Sequence, residues 1–292
     1  MITLNSFFLV LCAAFFHALW NSLVKSNDKK AYIVFLISLA HFIFGIILVL
    51  FSQTPSLGAW PYLILSTVVH TFYLYFLYQS YKWGDLSFVY PLMRGVAPLL
   101  VTLGAFLFIG ELPLGNGLIG IIFICGGLIT LSLFSLFNSL SYKALNFALL
   151  AGFCIASYSL LDGIGAREGN SPLGYIGWLF ILEGICGMII FWRIAKATDY
   201  SLDRNTFLYG SLGGSLSCLA YAIIISVKVY TPLGIVSSLR ETSVIFGSII
   251  GLIIFRERPW HLRIIAAIAV TVGLMFIAFS YLFLSLENLL NI

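Results

Sequence analysis

The chain has 292 residues, 61 % of them hydrophobic and only 9 % Asp, Glu, Lys or Arg, with a formal net charge of +4 and a mean hydropathy of +1.07. A soluble domain carries roughly a quarter charged residues, so this chain has too little charge to cover a globule in water. The small positive excess follows the turns between apolar segments rather than forming a basic face, so no nucleic-acid partner is expected.

Ten apolar stretches follow one another, near 5–24, 31–51, 60–80, 87–109, 117–137, 145–163, 174–192, 207–227, 234–254 and 262–284. Each is long enough to cross about 30 Å of hydrocarbon as a helix. A spanning barrel needs alternating segments of about ten residues, and runs such as Ile119–Phe137 do not alternate. The expected fold is all-α and integral to the membrane, with ten transmembrane helices. The first segment has no basic stretch before it and is read as an uncleaved helix. It carries His17, Trp20 and Asn21 at i, i+3 and i+4, hence on one helical face. The third carries His70, Tyr73 and Tyr78, which are weaker candidates because aromatic residues also form interfacial belts.

The fourth segment holds Tyr90-Pro91 and then Arg94, about six residues inside the helix, with Pro98 expected to bend it. The sixth carries Ser157-Tyr158-Ser159, placing Tyr158 where the first has Trp20, and ends near Asp162 and Arg167, with Asp162 read as interfacial. The seventh has Glu183 near its middle. An isolated carboxylate there is costly when charged and is a candidate proton carrier, or a structural partner of an arginine. The ninth holds Arg240 and Glu241, the acid being either a local counter-ion or a reach to a neighbouring helix. It also carries Gly247-x-x-x-Gly251, a packing motif.

Arg94, Glu111, Pro113, Gly127 and Leu128 recur 146 residues later as Arg240, Glu257, Pro259, Gly273 and Leu274. The chain therefore reads as two five-helix repeats, 1–140 and 141–292. An odd number of helices per repeat inverts the second copy relative to the first. Arg94 then lies toward one mouth and Arg240 toward the other, with roughly 12 Å between their levels. An intramembrane arginine either snorkels to the headgroups or faces a cavity, where its planar fork suits carboxylate or phosphate.

Loops after the odd-numbered segments hold Lys25, Lys29, Lys30, Lys82, Lys143, Arg193, Lys196, Arg204, Arg256, Arg258 and Arg263. The opposite face holds Arg167 and Lys228. Eleven against two puts the first group in the cytoplasm and both termini outside. The five cysteines lie singly in different segments, without metal-ligand spacing, and no metal or other cofactor is expected. There is no P-loop, HExxH or GxSxG, so neither ATP-driven pumping nor the readily recognised hydrolases find support.

The sequence resembles EamA-like ten-helix members of the drug/metabolite transporter superfamily over nearly its whole length. The resemblance rests on His17-Ala-Leu-Trp20-Asn21, on Tyr90-Pro-Leu-Met-Arg94-Gly-Val-Ala-Pro98 leading to Gly110-Glu111, and on Leu239-Arg240-Glu241-Thr-Ser-Val leading to Glu257-Arg-Pro259. The second copy has Arg256 where the first has Gly110. The resemblance implies an inverted-repeat transporter of small metabolites. Many of these relatives keep their termini inside, opposite to what the loop charges imply here.

The expected function is secondary transport of a small polar anion or zwitterion, such as an amino acid or a phosphonate-like compound, by alternating access. Helices 1, 3, 4, 6, 8 and 9 would line the cavity. Arg94, Arg240, His17, Trp20, Asn21, Tyr90, Tyr158 and Glu241 would bind or gate substrate, with Glu183 the proton-coupling candidate. The expected setting is a bacterial inner membrane, as monomer or homodimer. A lipid-linked or headgroup flippase is the alternative, and an intramembrane enzyme using His17, His70 and Glu183 the minor one.

Overall fold

The computed structural model describes residues 3–83, 86–113, 116–135, 141–197, 203–254 and 260–290. Arg256, Glu257, Arg258 and Pro259 lie outside the described residues, as do the side chains of Lys25, Tyr78 and Arg263. Every regular element among the described residues is helical: α1 Leu4–Lys25, α2 Lys30–Phe51, α3 Trp60–Trp83, α4 Leu86–Ile109, α5 Gly117–Ser135, α6 Tyr142–Glu168, α7 Pro172–Lys196, α8 Arg204–Lys228, α9 Leu233–Arg240, α10 Ser243–Ile253 and α11 Trp260–Leu290, with a single 3₁₀ turn before α3. Among the described residues seven helices are long and apolar enough to cross a membrane, and two shorter apolar stretches lie in α5 and α11. Phe51, Phe108, Ile122, Phe153, Ile189 and Phe279 are exposed. An apolar exterior of this kind is stable against hydrocarbon, not water.

Local chemistry sets the helix ends. Thr3, Ser141, Ser171 and Asp203 each cap a helix by accepting a backbone N–H with the side chain. Pro172 occupies the first turn of α7, where no N–H is needed. Gly110 ends α4 at φ +65°, a left-handed conformation that suits glycine. Pro91 and Pro98 both sit inside α4, and the helix runs through them.

The stretch expected as one ninth helix is two. Thr242 separates α9 from α10, and the backbone N–H groups of Glu241, Thr242, Val244 and Ile245 reach back three residues rather than four. The Thr242 hydroxyl takes up the Leu239 carbonyl. A tight turn inside a helix often marks a hinge or a functional site, and here it carries Glu241.

Three pairs of helices run antiparallel through close contacts. Along α2 and α7, Gly45 abuts Gly177 while Ser38 abuts Gly184 and Gly187. Along α5 and α11, Gly120 abuts Gly273 and Gly127 abuts Ala269. Along α4 and α9–α10, Thr102 abuts Gly234 while Arg94 reaches Ser243. Small residues let the backbones approach, which is how helices gain packing energy where lipid supplies no hydrophobic drive. In addition α3 packs on α6 and α1 on α8, leaving a hollow between the two groups.

Candidate functional site

A cavity of about 510 Å³ occupies that hollow. Its wall takes His17, Trp20 and Asn21 from α1, Tyr90 and Arg94 from α4, Tyr158 from α6, Glu183 from α7 and Arg240 from α9. Every site residue expected from sequence is therefore in the wall except Glu241, which stands behind it. The cavity also draws on α2 and α7, which the sequence reading left out of the lining. It occupies one half of the helix length. No wall residue precedes Ala13 on α1 or follows His41 on α2, and Lys30 stands at the open end.

One end of the cavity is arginine. Arg94 Nε lies 2.6 Å from Glu241 Oε2, and its Nη2 donates to Ser243 Oγ at 3.0 Å. Arg240 Nε lies 3.9 Å from the other oxygen of the same carboxylate. The expectation of two arginines at opposite mouths, on levels about 12 Å apart, is corrected. α4 and α9 cross antiparallel, so the two long side chains converge on one acid at the break after α9. Neither snorkels, since their side chains are only 5 % and 6 % exposed. Two guanidiniums share one carboxylate, which leaves one positive charge in excess. The Tyr90 ring lies 5.9 Å from the Arg94 guanidinium carbon, within cation–π range.

Beside this group, Trp20 Nε1 donates to His17 Nδ1 at 3.2 Å and the Asn21 side chain donates to the His17 carbonyl at 2.7 Å. A neutral His17 thus carries its proton on Nε2. The Trp20 indole N–H and the Asn21 amide nitrogen are thus engaged within their own helix, which fixes the stripe.

The other end is Glu183. It does not pair with Arg240. Its Oε1 lies 2.9 Å from His70 Nδ1, and its Oε2 lies 3.9 Å from His41 Nδ1. His70 Nδ1 also faces the Ser66 carbonyl at 3.0 Å. A carbonyl only accepts, so this nitrogen carries a proton directed at the Ser66 carbonyl, with Glu183 Oε1 close by but out of line. His41 Nε2 meets Ser217 Oγ at 3.0 Å. Glu183 is therefore not the isolated carboxylate expected, but one held between two imidazoles from α2 and α3. Tyr158 joins the two ends: its ring stacks on His70 at 3.7 Å and meets Tyr73 edge-on at 5.8 Å.

Arg94 Nε, Arg240 Nε, Glu241 Oε2 and Glu183 Oε1 are buried polar atoms without an aligned hydrogen-bond partner in the protein, despite the short distances above. Arg94 Nε and Glu241 Oε2 face each other, and Glu183 Oε1 faces His70, so these charges are met by ion pairing rather than by aligned hydrogen bonds. Among the described residues no three His, Cys, Asp or Glu side chains form a metal-holding group. Described cysteines are all free and singly placed.

Sequence reasoning missed His41 altogether and ranked His70 low. The chain has only four histidines, and three of them line this cavity. That scarcity in apolar helices was the available signal. Asp162 and Lys228, read as lying at the helix ends, are both fully buried. Asp162 accepts the hydroxyls of Tyr175 and Tyr221, and Lys228 Nζ donates to the Ser159 carbonyl at 2.9 Å and to the Ser159 hydroxyl.

No family model and no curated protein matches the chain. Among solved structures, a crystal structure described only as that of a protein matches 93 % of this chain and 96 % of its own, with a TM-score of 0.70 at 13 % identity. That likeness extends to the fold alone.

Proposed function

We propose that this protein is a secondary active transporter of a small polar metabolite, an EamA-like member of the drug/metabolite transporter superfamily working by alternating access. The observation that carries the proposal is the charge layout of the cavity. A net positive arginine end and a Glu183 end face one hollow, inside an exterior suited to lipid. Of the ligands expected, a zwitterion fits best. Its anion would displace water from the paired guanidiniums while its ammonium group meets Glu183. A guanidinium gains most from a planar two-oxygen anion.

The inverted repeat is part of this reading. Under the 146-residue offset α2 corresponds to α7, α4 to α9–α10 and α5 to α11, and all three pairs run antiparallel. Repeats related by an axis along the membrane normal would set such pairs parallel. Counting α9–α10 as one broken segment gives ten crossings. The cavity then opens on the side of the basic turns, and by the loop charges that side is the cytoplasm of a bacterial inner membrane. Arg167 and Lys228 were the two charges counted against this orientation. Lys228 is fully buried and Arg167 is bound within the protein, so neither is a free loop charge.

Purified protein is screened for ligands by thermal shift, since a ligand of the folded state raises apparent stability. The hits are then followed as labelled solutes into proteoliposomes. Saturable uptake, accelerated by the same solute inside, is the expected result. Scrambling of lipid headgroups without solute uptake would instead favour the flippase.

A further inference from the structure

We infer that Glu111, Arg167 and the start of α9 form a releasable latch that seals the cavity at the end away from the basic turns. This rests on the transporter reading above and names the contact that must break for substrate to reach the other side.

Glu111 follows the glycine that ends α4. Its Oε2 accepts the backbone N–H of Leu233, the first residue of α9, at 2.9 Å, and its Oε1 accepts from Arg167 Nη2 at 3.2 Å. Arg167, in the last turn of α6, also donates from Nε to the Lys228 carbonyl and from Nη2 to the Thr231 carbonyl, both at 2.9 Å. One carboxylate from the first repeat thus ties down the end of α6 and, directly and through Arg167, the turn from α8 into α9. The carboxylate sits at the positive end of a helix.

Below the latch the packing is polar and closed. Lys228 is anchored on Ser159, Ser159 faces Ser237 at 3.4 Å, and Asp162 holds Tyr221, a residue of the cavity wall. The floor of the cavity is thereby tied to the seal above it. The contrast with Arg94 and Glu241 decides which pair moves. Glu111 and Arg167 are 21 % and 26 % exposed, so water can replace their partners when they part; Glu241 is 1 % exposed and cannot be separated so easily.

The test uses the full-length protein freed of its native cysteines, with one reporter cysteine at a time. Ser237→Cys lies under the latch and Val34→Cys lines the open half of the cavity. Each is labelled with a membrane-impermeant maleimide in right-side-out and inside-out vesicles. Glu111→Gln removes the charge while keeping size. It should raise labelling of Ser237→Cys about tenfold from the latch side, as loss of an ion pair plus a cap implies, and lower labelling of Val34→Cys. Glu111→Asp keeps the charge on a shorter arm and should fall between, which preserves the test if the Gln variant does not fold. Unchanged labelling at both positions in folded variants, with solute uptake intact, overturns the latch and leaves the transporter reading standing. Opposite shifts at the two reporters, in a protein that moves no solute, would support the latch and remove the transporter reading.

Discussion

The two ends of the cavity solve the problem of charge in a membrane differently. At the arginine end, charge is met by charge: two guanidiniums lie against Glu241, nearly without exposure. At the Glu183 end, charge is met by titratable rings, one of them also held by the Ser66 carbonyl. A buried ion pair is strongly destabilised when one partner is removed, because the other charge stays behind. A carboxylate among imidazoles has another course, since a proton can move or leave. The arginine end is therefore expected to hold the structure as well as a ligand, and the Glu183 end, on the transporter reading proposed above, to be freer to change during the cycle.

The largest effect is expected from Glu241→Gln. It strips both arginines of their counter-ion at once and should cost about 3–5 kcal/mol, read as a large drop in thermal unfolding temperature in detergent. Wild-type stability in this variant would break the comparison. Arg94→Gln and Arg240→Gln each leave Glu241 with one arginine and should cost less. Arg94 should cost more than Arg240, because its nitrogen is at 2.6 Å rather than 3.9 Å and it also holds Ser243. Uptake should be abolished in both, and Lys in either place should restore it only in part, since the flat fork is lost. Normal uptake by both Gln variants would remove the arginines from substrate handling.

Glu183→Gln should leave the fold nearly as stable as wild type and weaken binding of a zwitterion by about 10–100-fold, the worth of one charged hydrogen bond. If Glu183 also carries the coupling proton, this variant keeps solute exchange but no longer accumulates solute against a proton gradient. Accumulation at the wild-type level would exclude that role.

The smallest effect is expected on the surface. Asp203 caps α8, and its pairing with Lys29, then its hydrogen bonds with Thr206, hold its carboxyl well below the usual range. A depressed folded-state pKa gives stability that is present above the unfolded carboxylate pKa, near 4, and is lost as pH falls through the folded value. Asp203→Asn should therefore be slightly less stable than wild type at neutral pH, with the difference shrinking as pH falls below about 4. An acid-unfolding profile identical to wild type would show that the pair contributes nothing.

The helices were legible because each span must be apolar over its whole length, and the predicted stretches fall within a few residues of the described helices. The break after Arg240 was not legible, since Glu241-Thr242-Ser243 contains neither proline nor glycine and the turn is imposed by what Glu241 must reach. Rare polar residues pointed correctly to the cavity wall. Their partners stayed hidden because pairing is set by helix crossing, which periodicity along one segment does not contain. Glu183 shows this plainly: its imidazole partners stand 142 and 113 residues before it, on α2 and α3. Arg167 and Lys228 misled for the opposite reason, because a charge near a helix end looks like a loop charge until a neighbouring helix covers it.

The central claim is that the cavity takes an anion at its arginine end and a cation at Glu183. The most direct measurement is the affinity of the purified protein for a small neutral α-amino acid, its primary amide and its N-acetyl derivative, in wild type and in Glu183→Gln. Wild type should prefer the amino acid over both derivatives by at least about tenfold. In Glu183→Gln the preference over the N-acetyl compound should collapse while that over the amide persists. Equal binding of all three by wild type, or a preference over the N-acetyl compound that survives Glu183→Gln, would contradict the account.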